Sequence, residues 1–257
     1  MLSLLINDPS VVVGFVLILG VAVRWFAVPA DARKTEYILL IAIFTLIVTP
    51  AAQGVANWLS GIRPMKMDLY AYVADGYLGQ PAFVLGRIAA PQWWTKVLLN
   101  VGYGLLPIGV ILTLSGHILR RSANVSWMVW AFVINLVAAP LLYVLIPVCG
   151  PRFAFPMFPL DPGHVIPHMM RIDAAPNGIP SVHTSTTLLI VWFSRWSRAE
   201  LAAAVVYLLL MMGATLASGQ HYAVDLLAAV PYTVGVLWLA KRVASRVRVP
   251  SRKAAHG

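Results

Sequence analysis

The chain has 257 residues, 60% of them hydrophobic and only 11% charged, with 19 Lys and Arg against 9 Asp and Glu and a net charge of +10. A soluble domain carries about 25% charged residues, so this composition and a mean hydropathy of +0.80 exclude one and identify a polytopic helical membrane protein. Unbroken apolar runs of roughly 20 residues exclude a β-barrel, whose strands alternate over about ten, and the lone Cys149 excludes a disulfide framework or a cysteine metal cage within one chain.

The first apolar run, Val11 to Ala27, lacks a basic leader, and its Arg24 follows the apolar core. It reads as an uncleaved span with its N-terminus outside, not as a signal peptide. A short basic loop, Asp31 to Lys34, leads to a second run, Tyr37 to Leu59. The segment Ser60 to Lys96 mixes charges with Tyr70, Tyr72, Trp93 and Trp94, which predicts interfacial helices with rings at head-group depth. A third run, Val97 to Leu119, closes on Arg120-Arg121. The fourth, Trp127 to Val148, holds Pro140 and Pro147, expected to kink a membrane helix without breaking it. A short fifth run, Thr184 to Trp196, is followed by a sixth, Leu201 to Ala217, and a seventh, Tyr222 to Ala240. The tail Lys241 to Gly257 has basic residues and no acid. There is no internal repeat, and one integral membrane domain over residues 1–257 accounts for the pattern.

Seven crossings with the N-terminus outside place Arg24, Arg33, Lys34, Arg120, Arg121, Arg195, Arg198 and the basic tail inside, in short loops. The positive-inside rule favours that orientation. The positive charge then reads as a topological signal and a contact for anionic lipid head groups, and no basic soluble module exists to bind nucleic acid.

Two polar islands remain, Gly150 to Ser185 and Ser218 to Asp225, both on the predicted outer face. Asp225 is the one acidic residue clearly inside an apolar run, where a carboxylate costs about 2.5–3.5 kcal/mol and needs a partner or a watery cavity. His221 is that partner, because a four-residue spacing stacks the two on one helical face. The pair serves either as a helix tie or as an oriented nucleophile or base. In Pro180-Ser181-Val182-His183, proline imposes an extended approach, and Ser181 at the head of a helical run presents a hydroxyl and free amides to an anion. His183 is a candidate proton donor beside them, the alternative being an N-cap serine next to an interfacial histidine. Two histidines, a carboxylate and an anion site on one face suit phosphoryl transfer through histidine. Asp161, His164 and His168 in the outer loop read as loop-capping or substrate-contact residues rather than a metal site.

Pro180-Ser181-Val182-His183 followed two spans later by His221-Tyr-Ala-Val-Asp225 resembles the type 2 phosphatidic acid phosphatase (PAP2) superfamily, which includes vanadium haloperoxidases. Gly150-Pro151-Arg152-Phe153, Arg171-Ile172-Asp173, His221-Tyr222 and the stretch Met67-Asp68 to Gly86-Arg87 look like the branch of inositol phosphorylceramide synthases. The resemblance implies a six-span core over about residues 36–241 plus one extra N-terminal span, and an outward-facing site that works on a lipid phosphate without metal or other cofactor. It further implies that His221 attacks phosphorus, Asp225 holds its imidazole, His183 protonates the departing oxygen, and Ser181 with nearby amides binds phosphate oxygens. The family's first motif, a lysine, six residues, then Arg-Pro, is missing: Arg63-Pro64 has no lysine seven residues ahead. Thr215 stands where the family has an arginine six residues before the nucleophile. Arg152 is the first choice for neutralising the phosphate and Arg171 the second. The leading function is a lipid-phosphate phosphatase and the rival a phosphotransferase to a lipid alcohol. A transporter or haem carrier is a third class, but it requires polar groups on other spans that these runs almost lack.

Overall fold

A computed structural model describes residues 54–55, 58–120 and 122–246. The runs expected at Val11 to Ala27 and, for the most part, Tyr37 to Leu59 lie outside the described residues, as do His256 and the end of the basic tail. Among the described residues the chain is helical apart from one two-stranded ribbon, in which β1 (Met65–Lys66) pairs antiparallel with β2 (Met170–Arg171).

Four helical stretches are long and apolar enough to cross a membrane: Asn100–Leu119, Val125–Leu145, Arg198–Ala217 and Ala223–Arg246. They make the chain an integral membrane protein. The first is built from two helices, α3 (Trp93–Gly104) and α4 (Leu106–Leu119). Pro107, which has no N–H to give to the preceding turn, explains the break. Next come α5 (Val125–Leu145), α7 (Val182–Phe193), α8 (Arg198–Ala217) and α9 (Ala223–Arg246), with a single turn, α6 (Pro151–Ala154), between α5 and α7. Pro140 sits inside α5 as expected, but Pro147 lies beyond its end and corrects the expectation of a kink there. The chain leaves the helix at Ile146, since the residue before a proline is driven out of the α region.

The short α7 is the hub, packed against α4, α5, α8 and α9. Twelve residues rise only about 18 Å against a hydrocarbon core of about 30 Å. Enclosure by the surrounding helices makes that length tolerable. Because lipid offers no partner to a hydroxyl, the polar residues of α7 bond within the bundle. Asn135 of α5 donates to Thr186 and accepts from Ser185, and Thr187 donates to the His183 and Thr184 carbonyls. At the far end of the bundle Leu114, Met128, Leu189, Phe193, Val236 and Leu237 form an apolar core. Around it Arg120, Arg195, Lys241 and Arg242 lie over the rings of Trp196, Trp192, Trp127 and Trp238.

Two helices, α1 (Asp68–Gly76) and α2 (Pro81–Ala89), cap the opposite end. Tyr70 and Trp93 are exposed, as interfacial rings would be, whereas Tyr72 corrects that expectation. It is buried among Phe83 and Phe155, and its hydroxyl donates to Asp161 and to the Gly163 carbonyl.

Candidate active site

Local sequence sets the geometry of both histidine segments. Ser181 caps α7: its Oγ accepts from the Thr184 amide at 3.3 Å and the Thr184 hydroxyl at 3.1 Å. The Val182 and His183 amides of that first turn then have no intrahelical partner. His221 precedes α9 and Asp225 lies in its first turn, so the four-residue spacing brings His221 Nδ1 to 3.1 Å from Asp225 Oδ2. The same Oδ2 accepts the Tyr222 amide at 2.9 Å. His221 is 2% exposed and Asp225 0%. Burial holds the His221 imidazole below its usual range, at about 4, against the opposing pull of the Gly178 carbonyl.

A main-chain bond joins the two segments, the Ser181 amide donating to the Asp225 carbonyl at 3.2 Å. The His183 and His221 rings consequently stand 5.8 Å apart, centroid to centroid. Four of the residues singled out in the sequence, Ser181, His183, His221 and Asp225, thus converge at one end of the bundle. In the tautomer that turns Nδ1–H to the carboxylate, His221 keeps an Nε2 lone pair for attack.

A third segment meets them. Gly150 has φ 122°, a conformation closed to most side chains, and a Cβ there would run into the Gln220 carbonyl. Gly219, with φ 67°, is equally tight, its would-be Cβ lying 2.8 Å from Phe158. These two glycines let the loops touch, and the Arg152 amide donates to the Gly219 carbonyl at 3.0 Å. Arg152 therefore stands on the turn that delivers His221. Arg171 lies in the ribbon opposite Met65 and is exposed, tied by no described hydrogen bond to either histidine segment. Other basic residues of that region have structural partners: Arg63 Nε donates to the Val144 carbonyl at 2.7 Å, and the buried Lys66 donates to the Arg63 carbonyl.

In the loop after α6, Asp161 accepts from Tyr72 and from the Gly163 amide, and His168 Nδ1 lies 2.9 Å from the Ile166 carbonyl. This is loop capping, and among the described residues no three His, Cys, Asp or Glu side chains converge as a metal site would need. A groove of about 380 Å³ opens at the other end of the bundle, lined by residues such as His117, Phe193 and the ion pair Arg120–Glu200. It lies away from the paired histidines. His117 there is structural, its Nε2 2.9 Å from the Phe193 carbonyl and its Nδ1 3.0 Å from Ser122.

A family model of the PAP2 superfamily matches residues 77–239, more than half of the chain. The chain belongs to the PAP2 superfamily. Phosphatase-type activity is what that membership supports. Comparison with curated proteins and with solved structures gives no match.

In this PAP2 protein two further acidic residues belong to the site's scaffold; the sequence reading quoted Asp68 only within the Met67-Asp68 to Gly86-Arg87 stretch and gave neither Asp68 nor Asp75 a role. Asp68 and Asp75 are fully buried on α1, ahead of the segment that the family model matches. Asp68 Oδ1 accepts from the Gly150 amide at 2.8 Å and Oδ2 from the Cys149 amide at 3.0 Å. Asp75 accepts the Val224 amide at 3.0 Å, at the start of α9. One helix thus holds the Arg152 loop through one carboxylate and the His221 segment through the other. Burial raises both carboxyls to about 6, and the backbone donors oppose it. The available signal was their seven-residue spacing, which puts two acids on one face of a short apolar helix.

Proposed function

We propose that this PAP2 protein hydrolyses a lipid phosphate at the outer face of the membrane through a phosphohistidine intermediate. The observation that carries the reading is the convergence of a carboxylate-held His221 with His183 beside a helix N-terminus. His221 Nε2 attacks phosphorus and the bond to the lipid oxygen breaks, its electron pair going to that oxygen. His183 donates a proton to the departing oxygen, giving the lipid alcohol. The anionic substrate favours the protonated His183 that this step needs. Water then attacks the phosphohistidine, His183 takes its proton, and phosphate leaves a regenerated His221. Asp225 holds the ring and stabilises its cation, while Ser181, the free α7 amides and Arg152 bind the phosphate oxygens.

Transfer differs only in the second acceptor, a lipid alcohol in place of water. The residues that resemble inositol phosphorylceramide synthases favour it as the second reading, because Asp68, Gly150 and Arg152 lie together at this site. The deciding experiment incubates purified protein with a total lipid extract and analyses products by mass, with and without inositol lipid. Free phosphate with a dephosphorylated lipid supports hydrolysis; a new phospho-head-group lipid supports transfer. Neither product would end both readings.

Outward orientation is supported by the basic residues stacked on tryptophans at the end opposite the histidines. A cysteine introduced as Arg252→Cys should resist a membrane-impermeant thiol reagent in intact cells, against a low background because Cys149 is buried. Labelling from outside would reverse the orientation.

Arg152→Ala should lower turnover by at least tenfold, the roughly 1.4 kcal/mol or more of a charge-assisted contact to a phosphate. Full activity in the variant would remove Arg152 from the site and pass its role to Arg171.

A further inference from the structure

Tyr103 reaches the histidines from α3, one residue before that helix ends. The break at Leu105 is fixed from α8, where the Tyr207 hydroxyl donates to the Gly102 carbonyl at 2.9 Å. The Tyr103 ring packs edge-on against His183 with centroids 4.7 Å apart. Its hydroxyl is buried yet has no hydrogen-bond partner. A phenol without a partner inside a protein costs about 1–3 kcal/mol, so its persistence calls for an explanation.

Ser218 lies beside it with its own hydrogen turned to the Thr215 carbonyl at 3.3 Å, and it makes no aligned hydrogen bond with Tyr103. The Arg152 loop adjoins this place, since the Arg152 amide donates to the carbonyl of Gly219, the residue after Ser218, and the guanidinium it carries donates only. The hydroxyl beside His183 is left without an acceptor, and an anion brought between His183 and the Arg152 loop supplies one. We propose that the Tyr103 hydroxyl is a direct substrate contact, donating a hydrogen bond to a phosphoryl oxygen held between His183 and Arg152. The proposal rests on the lipid-phosphate reading above and adds to it a neutral donor where the chain lacks the family's lysine.

The test compares wild type with Tyr103→Phe, which keeps the ring against His183 and removes only the hydroxyl. Binding of inorganic phosphate to each full-length protein in detergent is measured by calorimetry, beside kcat and KM on a lipid phosphate and the thermal midpoint. The variant is expected to bind phosphate about tenfold more weakly, in line with a lost hydrogen bond to a charged group. Its kcat/KM should fall by a similar factor and its thermal midpoint should hold or rise, because an unpaired polar group has been removed. Equal phosphate affinity in the two proteins, including no binding by either, overturns the proposal, and so does a variant that fails to fold. If wild type binds phosphate more tightly than the variant but dephosphorylates no lipid, the hydrolase reading falls and the Tyr103 contact stands. If turnover persists in the variant with unchanged phosphate affinity, the contact falls and the hydrolase reading stands.

Discussion

Replacing His221 with Ala should abolish phosphate release, with a loss on the order of 10⁴-fold or more, as expected when a covalent nucleophile is removed. It should also abolish the trapped intermediate. Wild-type protein quenched during turnover of a ³²P-labelled lipid phosphate should carry label that survives base and is lost in acid, the behaviour of a phosphoramidate. The alanine variant should carry none. Because His221 is 2% exposed and bonded to Asp225, its truncation also opens a cavity over a buried carboxylate. His221→Gln keeps most of the volume and a hydrogen-bonding group, so a folded but inactive glutamine variant separates chemistry from stability. His183→Ala should still accumulate label from substrates with good leaving groups, such as diphosphates, and react slowly where the departing alkoxide needs a proton. Appreciable turnover in both His221 variants, or loss of wild-type activity to a chelator, would end the metal-free phosphohistidine mechanism.

Asp225→Asn should keep the fold and lose roughly 10³- to 10⁴-fold in rate, the scale known for the same exchange beside a catalytic histidine. The geometry gives the reason. Asp225 Oδ2 accepts two hydrogens at once, from the Tyr222 amide at 2.9 Å and from His221 Nδ1 at 3.1 Å. An asparagine whose oxygen takes the Oδ2 place keeps both bonds and still orients the ring, while its NH₂ replaces Oδ1, which has no hydrogen-bond partner. The neutral amide cannot, however, stabilise the ring when it becomes positive. Formation of the intermediate should therefore slow as much as turnover, with the thermal midpoint little changed. An asparagine variant within tenfold of wild type would reduce the pair to a helix tie.

The scaffold behind these residues bears on both experiments. Asp68 and Asp75 fix the Arg152 loop and the start of α9 from a single helix, so the site is held from outside the bundle as well as from within. Pre-organisation of this kind lets phosphate-binding groups act without rearranging at the moment of reaction.

By itself the sequence determined the features that depend on near neighbours. Composition and run length established a helical membrane protein; His221 and Asp225 were legible as a pair because four-residue spacing is a property of one helix. Ser181 was legible as a cap because it follows proline and opens an apolar run. Only the tertiary structure decided which helix faces which. It made the short α7 the hub, turned Tyr72 inward, ended α5 before Pro147, buried Asp68 and Asp75 under the site, and brought Tyr103 against His183. Hydropathy is silent on these points for a physical reason. In a bilayer the lipid-facing and the protein-facing sides of a helix are equally apolar, so lateral packing leaves no polarity pattern along the chain.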